Sequence, residues 1–390
     1  MLRGTFCTTV LVILIVGLAK TLFSPKDVNY YENRSANKIE PLSVSAYLDG
    51  SFQEKFDDAL MDQVNFAQSI KKKYNDFHSQ FLLKNLQLFL GYDFNSSNNP
   101  ERYINFMGMR LFNNSITYST RKLSSMTEAL NQKATNYNQY INNYNKLDFY
   151  IYFIEKDTDI NFETNEKVRA YEYLRERIHL ADNHIASFSV NSYEEFTQNF
   201  YRTDHHWKYT GSYLGYSQIM NMFGYDDLMV PVDEVCIDKR FSGSKALLSG
   251  ADSFYEDFIA YRFEYPEMDI WISGQKVADY GYQNEFFQGD APYTIRYGSF
   301  YGGDDAEIIF DNHRPERENI LVIGESYDNA ILKLIASHFN RTYSIDLRHY
   351  STTMGHDFAF SDYVAKNNIT KILLIGNIDY FIMDEFLLEG

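Results

Sequence analysis

Ile320-Leu321-Val322-Ile323-Gly324-Glu325-Ser326-Tyr327 joins an apolar run to a turn that contains glycine, an acid and serine. The apolar run predicts a buried strand at 320–323. After it, the apolar pattern predicts a helix at 330–339, a strand at 341–347, a helix at 358–366 and a strand at 372–375. This alternation predicts an α/β fold with a parallel sheet, flanking helices and right-handed crossovers.

The preceding chain extends the same pattern. Residues 147–155 are almost continuously aromatic or β-branched, which predicts a strand covered on both faces. Further helices are predicted at 171–180 and 210–223, with a strand at 185–190. We predict one domain at 46–390, with a helical N-terminal part at 46–145 (amphipathic helices at 45–90 and 120–144) and an insertion or substrate-facing subdomain at about 229–317.

Composition excludes several classes of protein. The 390 residues are 45% hydrophobic, enough for a large core. A net charge of -17 repels phosphate backbones, so we expect no nucleic-acid partner. Only Cys7 and Cys236 are present, which excludes a disulfide framework and a cysteine zinc site within this chain.

The first 23 residues predict a membrane-targeting element. An apolar run follows Arg3, and it fits either an uncleaved transmembrane anchor, with Lys20 snorkelling, or a signal peptide cleaved near Gly17-Leu18-Ala19. Residues 24–45, which contain Pro25 and Pro41, predict an extended tether. We therefore expect an extracytoplasmic protein of a bacterial cell envelope, membrane-anchored or secreted.

Ser326 follows a predicted strand and precedes a predicted helix, where a nucleophilic serine gains an oxyanion-stabilising N–H from its own backbone. The alternative is a serine that only caps the helix. Catalysis would also need an imidazole that takes the serine proton and a carboxylate that orients it. Tyr201-Arg202-Thr203-Asp204-His205-His206-Trp207 offers both, with Asp204 as the acid and His206 as the base.

Thr203-Asp204-His205-His206-Trp207, followed by Thr210-Gly211-Ser212-Tyr213, resembles the signature of the bacterial DHHW family. That family is similar to the alginate O-acetylation proteins of the SGNH-hydrolase-like superfamily. The resemblance implies an SGNH-like parallel sheet, with Ser326 as nucleophile, His206 as base and Asp204 as acid. It extends more weakly over residues 45–390.

Three positions near these motifs either depart from the family pattern or have more than one possible role. Glu325 stands where the family has Asp or Thr before the serine. Asn377 is our candidate for an oxyanion donor, and its alternative role is to cap a turn. His205 is an auxiliary candidate that could be the base itself, a partner of the base or a solvent-facing residue.

The expected function is serine-dependent O-acyl (acetyl) transfer to, or esterase action on, a cell-surface or exported polysaccharide. The resemblance also implies a multi-pass membrane acyltransferase as acyl donor, and no cofactor or metal is expected. One alternative is an inactive SGNH-like protein that binds carbohydrate or assists assembly. A metal-dependent phosphoesterase is the other, but the further upstream aspartate ligands that it needs are not identifiable in the sequence.

Overall fold

The computed structural model describes most of the C-terminal two thirds of the chain and scattered parts of the N-terminal third. The described residues are 123–383, apart from 157–158, 162–165, 250–254 and 292–293, and before them 26, 28–29, 34–39, 47, 51–64, 73, 102–106 and 109–113. The predicted anchor at 1–23 lies outside them. No helix among the described residues has the length and apolarity needed to cross a membrane.

The elements are numbered in chain order. The strands are β1 (Val28–Asn29), β2 (Arg34–Ser35), β3 (Arg102–Phe106), β4 (Met109–Asn113), β5 (Asp148–Ile154), β6 (Ile160–Asn161), β7 (Glu166–Lys167), β8 (Ile185–Phe188), β9 (Asp233–Phe241), β10 (Glu256–Arg262), β11 (Asp269–Ile272), β12 (Gln275–Val277), β13 (Glu307–Asp311), β14 (Asn319–Ile323), β15 (Arg341–Ile345) and β16 (Ile369–Gly376). The α-helices are α1 (Ser51–Gln63), α2 (Leu123–Asn143), α3 (Ala170–Arg175), α4 (Tyr193–Asn199), α5 (Tyr209–Met222), α6 (Ser244–Ser249), α7 (Gln283–Gln288), α8 (Tyr297–Tyr301), α9 (Leu332–Ala336), α10 (Leu347–Met354), α11 (Phe360–Lys366) and α12 (Ile378–Phe381). Short 3-10 helices occupy Asp182–His184 and Asp328–Ala330.

The chain forms two compact units. The first comprises Met1–Ser115 and Ser244–Phe254, and the second comprises Ile116–Gly243 and Tyr255–Gly390. In the first unit, β1 and β2 form an antiparallel pair inside the predicted tether. The end of α1 holds the residues around this pair, because Gln63 Nε2 donates to the carbonyls of Lys26 and Asn37 at 2.9 and 2.8 Å.

The second unit is built on an eight-stranded sheet of order β12-β11-β13-β15-β14-β16-β5-β8. The five strands from β15 to β8 pair in parallel, whereas β13, β11 and β12 extend the sheet antiparallel beyond β15. This architecture confirms the predicted α/β fold with a mostly parallel sheet and flanking helices.

Successive side chains of the central strands point to opposite faces of the sheet and belong to two hydrophobic cores, one on each face. Ile320 and Val322 belong to one core, and Leu321 and Ile323 belong to the other. Helices α5, α8 and α9 contribute residues to the first core, and α2, α3, α10, α11 and α12 to the second. Because both faces are covered, most residues of β5, β14 and β16 are apolar and buried.

The segment at 229–317, which we predicted to be an insertion, divides between two structures. β9 and β10 form a separate antiparallel pair. β11, β12 and β13 instead belong to the central sheet. The predicted helix at 330–339 is also divided, because Ile331 (φ -121°, ψ -7°) separates the 3-10 turn from α9.

Gly215 in α5 provides a test of this packing. A Cβ built on Gly215 would lie 2.7 and 2.9 Å from ring atoms of Trp207, which is fully buried. We expect Gly215→Ala to lower the free energy of unfolding by about 1–3 kcal/mol through overpacking, although alanine is the better helix former. Urea unfolding of the full chain measures this change.

The matched control is Gly298→Ala in α8, where a Cβ would meet nothing within 4 Å. That variant should be neutral or more stable by up to about 1 kcal/mol. Equal effects of the two substitutions would contradict the packing of Gly215 against Trp207.

Candidate active site

The segment Phe200–Trp207 is a closed loop between α4 and α5. An antiparallel bridge joins Phe200 to Trp207, and the Tyr201 N–H donates to the His206 carbonyl at 3.1 Å. Lys208 N–H closes the base of the loop by donating to the Asn199 carbonyl at 2.6 Å. These backbone bonds hold residues 202–205 in a tight turn and direct Asp204 and His206 to the same side.

Asp204, His206 and Ser326 form a hydrogen-bonded chain. His206 Nδ1 lies 2.6 Å from Asp204 Oδ1, and His206 Nε2 lies 2.9 Å from Ser326 Oγ. The backbone N–H of His206 also donates to Asp204 Oδ1 at 3.1 Å. All three residues are buried: Asp204 is 1% exposed, His206 is 4% and Ser326 is 9%. This is the arrangement in which an imidazole can take a serine proton while a carboxylate fixes its tautomer.

Ser326 lies beyond the carboxyl end of β14, in the turn that precedes the 3-10 helix at Asp328–Ala330. Ligands of open α/β sheets bind at this edge. Within the part of the chain that the structure describes, the Ser326 N–H donates to no protein acceptor. It is therefore available to a tetrahedral oxyanion formed at Ser326 Oγ.

Glu256 on β10 anchors the loop from behind. Its carboxylate accepts from the Thr203 N–H at 2.6 Å and lies 3.4 Å from Arg202 Nε and 3.5 Å from Lys208 Nζ. Burial lowers the pKa of Lys208, and the Glu256 carboxylate opposes this effect. Glu256 thus offsets the charge of two cations and fixes the residue next to Asp204.

His205 and Trp207, the residues on either side of His206, differ in their exposure to solvent. The His205 side chain is 45% exposed, with Nδ1 3.5 Å from Asp204 Oδ1, so His206 is the imidazole that reaches Ser326. The His205 carbonyl accepts a hydrogen bond from Tyr327 Oη, which connects the loop to the residue after the serine. Trp207 packs in the core beneath the loop.

Asn377 is engaged by groups other than Ser326. Its side-chain carbonyl accepts from the Asp379 N–H at 2.8 Å and caps α12, and its amide donates to Glu325 Oε1. The Asn377 N–H donates to the same oxygen at 3.1 Å. The capping role given as the alternative for Asn377 is therefore the one that its contacts describe, and Glu325 joins the turns after β14 and β16.

Several carboxyl groups surround Arg348 close to this turn. Arg348 Nη2 lies 2.5 Å from Asp346 Oδ2 and 2.9 Å from Asp304 Oδ2. Asp328, at 3% exposure, lies deeper. Burial raises the pKa of Asp328 well above its ordinary value, the charges of Asp346, Asp304 and Glu325 raise it further, and Arg348 opposes them. Burial likewise raises the pKa of Glu325.

Two groups of described residues have ligand atoms close enough together to hold a metal ion. They are Asp204 with His205 and His206, and Asp304 with Asp346 and His349. In the first group, the Asp204 carboxylate holds the hydrogen bonds from His206. In the second, the Asp346 carboxylate holds Arg348. In both groups, therefore, a carboxylate that could bind a metal ion already accepts hydrogen bonds from protein side chains.

Three contacts of the site were missed by the sequence analysis. The ring of Tyr297 stacks on His206, with centroids 3.9 Å apart and planes 3° from parallel. A Cβ on Gly243 would lie 2.3 Å from Asp204 Cβ, so only glycine leaves room for the acid. Glu256 is the third. None of these residues lies in a motif, and each approaches the loop from a distant part of the chain.

No family model matches the sequence, and no curated protein matches it. Solved structures do resemble the fold. Bacillus cereus PatB1 with a sulfonyl adduct has a TM-score of 0.51 and 20% identity over 72% of this chain and 95% of that chain. A second PatB1 structure has a TM-score of 0.51 and 18% identity, over 74% of this chain and 100% of that chain. A DHHW family protein from Eubacterium siraeum has a TM-score of 0.49 and 14% identity, over 74% of this chain and 94% of that chain. The PatB1 structures show that this chain has the same fold.

The close approach of Gly243 to Asp204 predicts an effect on reactivity. Gly243→Ala should displace the carboxylate and slow the reaction of Ser326 with a sulfonyl fluoride at least tenfold, because small displacements of a catalytic group are costly. Gly303→Ala is the matched control, since a Cβ there would lie 3.8 Å from its nearest neighbour, Asp305 Oδ2. An equal rate in the two variants would show that Gly243 does not position Asp204.

Asp328 predicts a pH dependence of stability. The unfolded carboxyl ionises near pH 3.9, and the folded one ionises at higher pH. Between the two values the folded state binds more protons, so stability falls as pH rises through this window. Asp328→Asn removes that loss, so its stability relative to the unsubstituted protein should rise as the pH increases above about 4.

Urea unfolding at several pH values measures this gain, with the exposed Asp226→Asn as the control for removing one negative charge. If the stability of Asp328→Asn and that of the unsubstituted protein changed with pH in parallel, the pKa of Asp328 would be the same in the folded and unfolded states.

Proposed function

We propose that the protein is a serine-dependent O-acyltransferase or esterase. The observation that supports this most is the buried chain of hydrogen bonds from Asp204 Oδ1 through His206 to Ser326 Oγ, at 2.6 and 2.9 Å. A serine with an imidazole at hydrogen-bonding distance, itself held by a buried carboxylate, is an activated nucleophile.

The reaction proceeds in two halves. Ser326 Oγ attacks the acyl carbonyl while its proton passes to His206 Nε2, and the Ser326 N–H stabilises the tetrahedral oxyanion. The imidazolium then gives that proton to the leaving oxygen, which departs and leaves an ester on Ser326. An acceptor hydroxyl attacks this ester, its proton passes to His206 Nε2, and the proton returns to Ser326 Oγ as the product leaves.

The acceptor and the donor are proposals of a different kind, since they follow from the resemblance of the Thr203–Trp207 motif to the DHHW family. By that resemblance, the acceptor is a hydroxyl of a cell-surface or exported polysaccharide, and the acyl group is acetyl, supplied by a multi-pass membrane acyltransferase. The apolar segment at 1–23 would hold the protein at the outer face of the membrane. PatB1, which shares the fold, was solved with a sulfonyl adduct.

A sulfonyl-fluoride label tests the proposal. We expect the label on Ser326, no label in Ser326→Ala, and a rate at least about 10³-fold lower in His206→Ala. Asp204→Asn should slow labelling by about 10²–10⁴-fold, because the amide stabilises the wrong imidazole tautomer. Mass spectrometry of the intact protein and of its peptides measures the rate and the position.

Ser351→Ala, which removes an exposed hydroxyl elsewhere in the chain, is the control and should label at the rate of the unsubstituted protein. Folded protein whose Ser326 takes no label from any sulfonyl fluoride would overturn the proposed chemistry. That outcome would favour the alternative, an inactive protein that binds carbohydrate.

A further inference from the structure

Tyr297 is the aromatic residue whose ring lies parallel to His206. It is the first residue of α8 and is 1% exposed, and its ring plane is within 3° of the imidazole plane at a centroid separation of 3.9 Å. The beginning of α8 is fixed by Arg296, whose backbone N–H donates to Ser299 Oγ at 2.8 Å and whose Nη1 donates to the Ser242 carbonyl at 3.3 Å. The Tyr297 ring is therefore held at a fixed place against the imidazole.

The hydrogen bonds of His206 leave one motion of its ring unopposed. Asp204 contacts Nδ1 and Ser326 contacts Nε2, and the N–H and the lone pair of an imidazole both lie in the plane of its ring. Together the two hydrogen bonds fix the positions of the two nitrogens, but the ring can still tilt about the line that joins them. A flat surface against one face of the imidazole opposes this tilt, and Tyr297 provides that surface.

The charge of the imidazole decides how strongly the two rings attract each other. Two neutral aromatic rings gain little from a face-to-face arrangement, because their quadrupoles repel unless the rings are offset. An imidazolium is a cation, and a cation over the face of a tyrosine ring is attracted to it, most strongly where water is excluded. Burial raises the pKa of Tyr297, so its hydroxyl stays protonated and the ring stays neutral.

We infer that Tyr297 is a positioning residue that keeps the His206 ring in the plane of the Asp204–His206–Ser326 hydrogen bonds and stabilises its protonated form. This inference rests on the proposed acyl transfer, in which His206 carries a proton only while the tetrahedral intermediate forms and breaks down. An interaction that is stronger in that state than in the resting enzyme accelerates the chemical step.

A fluorinated series at position 297 tests the electrostatic part without changing the shape of the ring. Tyr297→Phe, which keeps the ring and removes the hydroxyl, is the reference with which the fluorinated residues are compared. Phenylalanines with increasing numbers of ring fluorines, introduced at position 297, weaken the negative face of the ring. The labelling rate, measured at a pH high enough that it no longer rises with pH, should fall with each added fluorine. For the fully fluorinated ring it should be lower by about tenfold.

The NMR titration of the His206 ring is the second measurement, and it does not depend on activity. As fluorination increases, the protonated imidazole loses stabilisation, so the midpoint of the titration should move to lower pH by up to about one pH unit. The same residues introduced at Tyr301, whose ring lies 4.8 Å from Tyr297, are the matched control and should leave the midpoint unchanged.

The outcomes separate this inference from the proposed function. A midpoint that stays constant through the series, with Ser326 still reactive, overturns the role of Tyr297 alone. A midpoint that moves while Ser326 takes no label supports the stacking effect and overturns the acyl transfer. Tyr297→Leu completes the test, because it removes the flat surface and should slow labelling more than any fluorinated ring.

Discussion

The hydrogen bond between Asp204 and His206 is the interaction on which the site depends. A carboxylate that is 1% exposed is costly to bury unless its oxygens are paired, and the ring nitrogen and backbone N–H of His206 provide that pairing. The Phe200–Trp207 bridge, the Glu256 carboxylate and the open space at Gly243 all bring the two residues into this geometry.

Two carboxyl groups lie close in sequence to Ser326, where the proposed reaction would create an oxyanion. Glu325 and Asp328 flank Ser326 in sequence, yet burial raises the pKa of both carboxyl groups. Arg348 and the two Asn377 N–H donors compensate on the side of the turn that includes α10 and α12. The negative charge beside Ser326 is thereby partly neutralised.

The sequence was a good guide to the parts of the fold that local patterning determines. The strand at 320–323 and the helix at 210–223 were predicted within one residue of their observed bounds, because burial of a strand or of one helix face leaves a pattern in adjacent residues. The strand predicted at 372–375 is the buried centre of the longer β16. Helix α10 was missed, and its N-cap, Asp346, lies at the end of a predicted strand. β11, β12 and β13 lie in the segment predicted to be an insertion or substrate-facing subdomain, because the residue pattern of a short strand does not show which sheet the strand joins.

Prediction of the site divided in a similar way. Asp204, His206 and Ser326 were singled out because their chemistry appears in short motifs, and the structure brings the three together. Tyr297, Gly243 and Glu256 act by contact alone. Tyrosine, glycine and glutamate occur at many positions of any chain, so only the folded structure shows that these three residues contact the site.

The position of β16 has a consequence for when the site comes into being. Asp204 and His206 follow β8, Ser326 follows β14, and in the sheet these strands are joined only through β16 and β5. β16, at Ile369–Gly376, is the last strand in the part of the chain that the structure describes. A nascent chain that has reached Ser326 thus carries every reactive group but lacks the strand that brings them into one sheet. If Ser326 is the nucleophile, its reactivity is deferred until β16 has been synthesised, so a product truncated before β16 would be inert rather than an indiscriminate nucleophile.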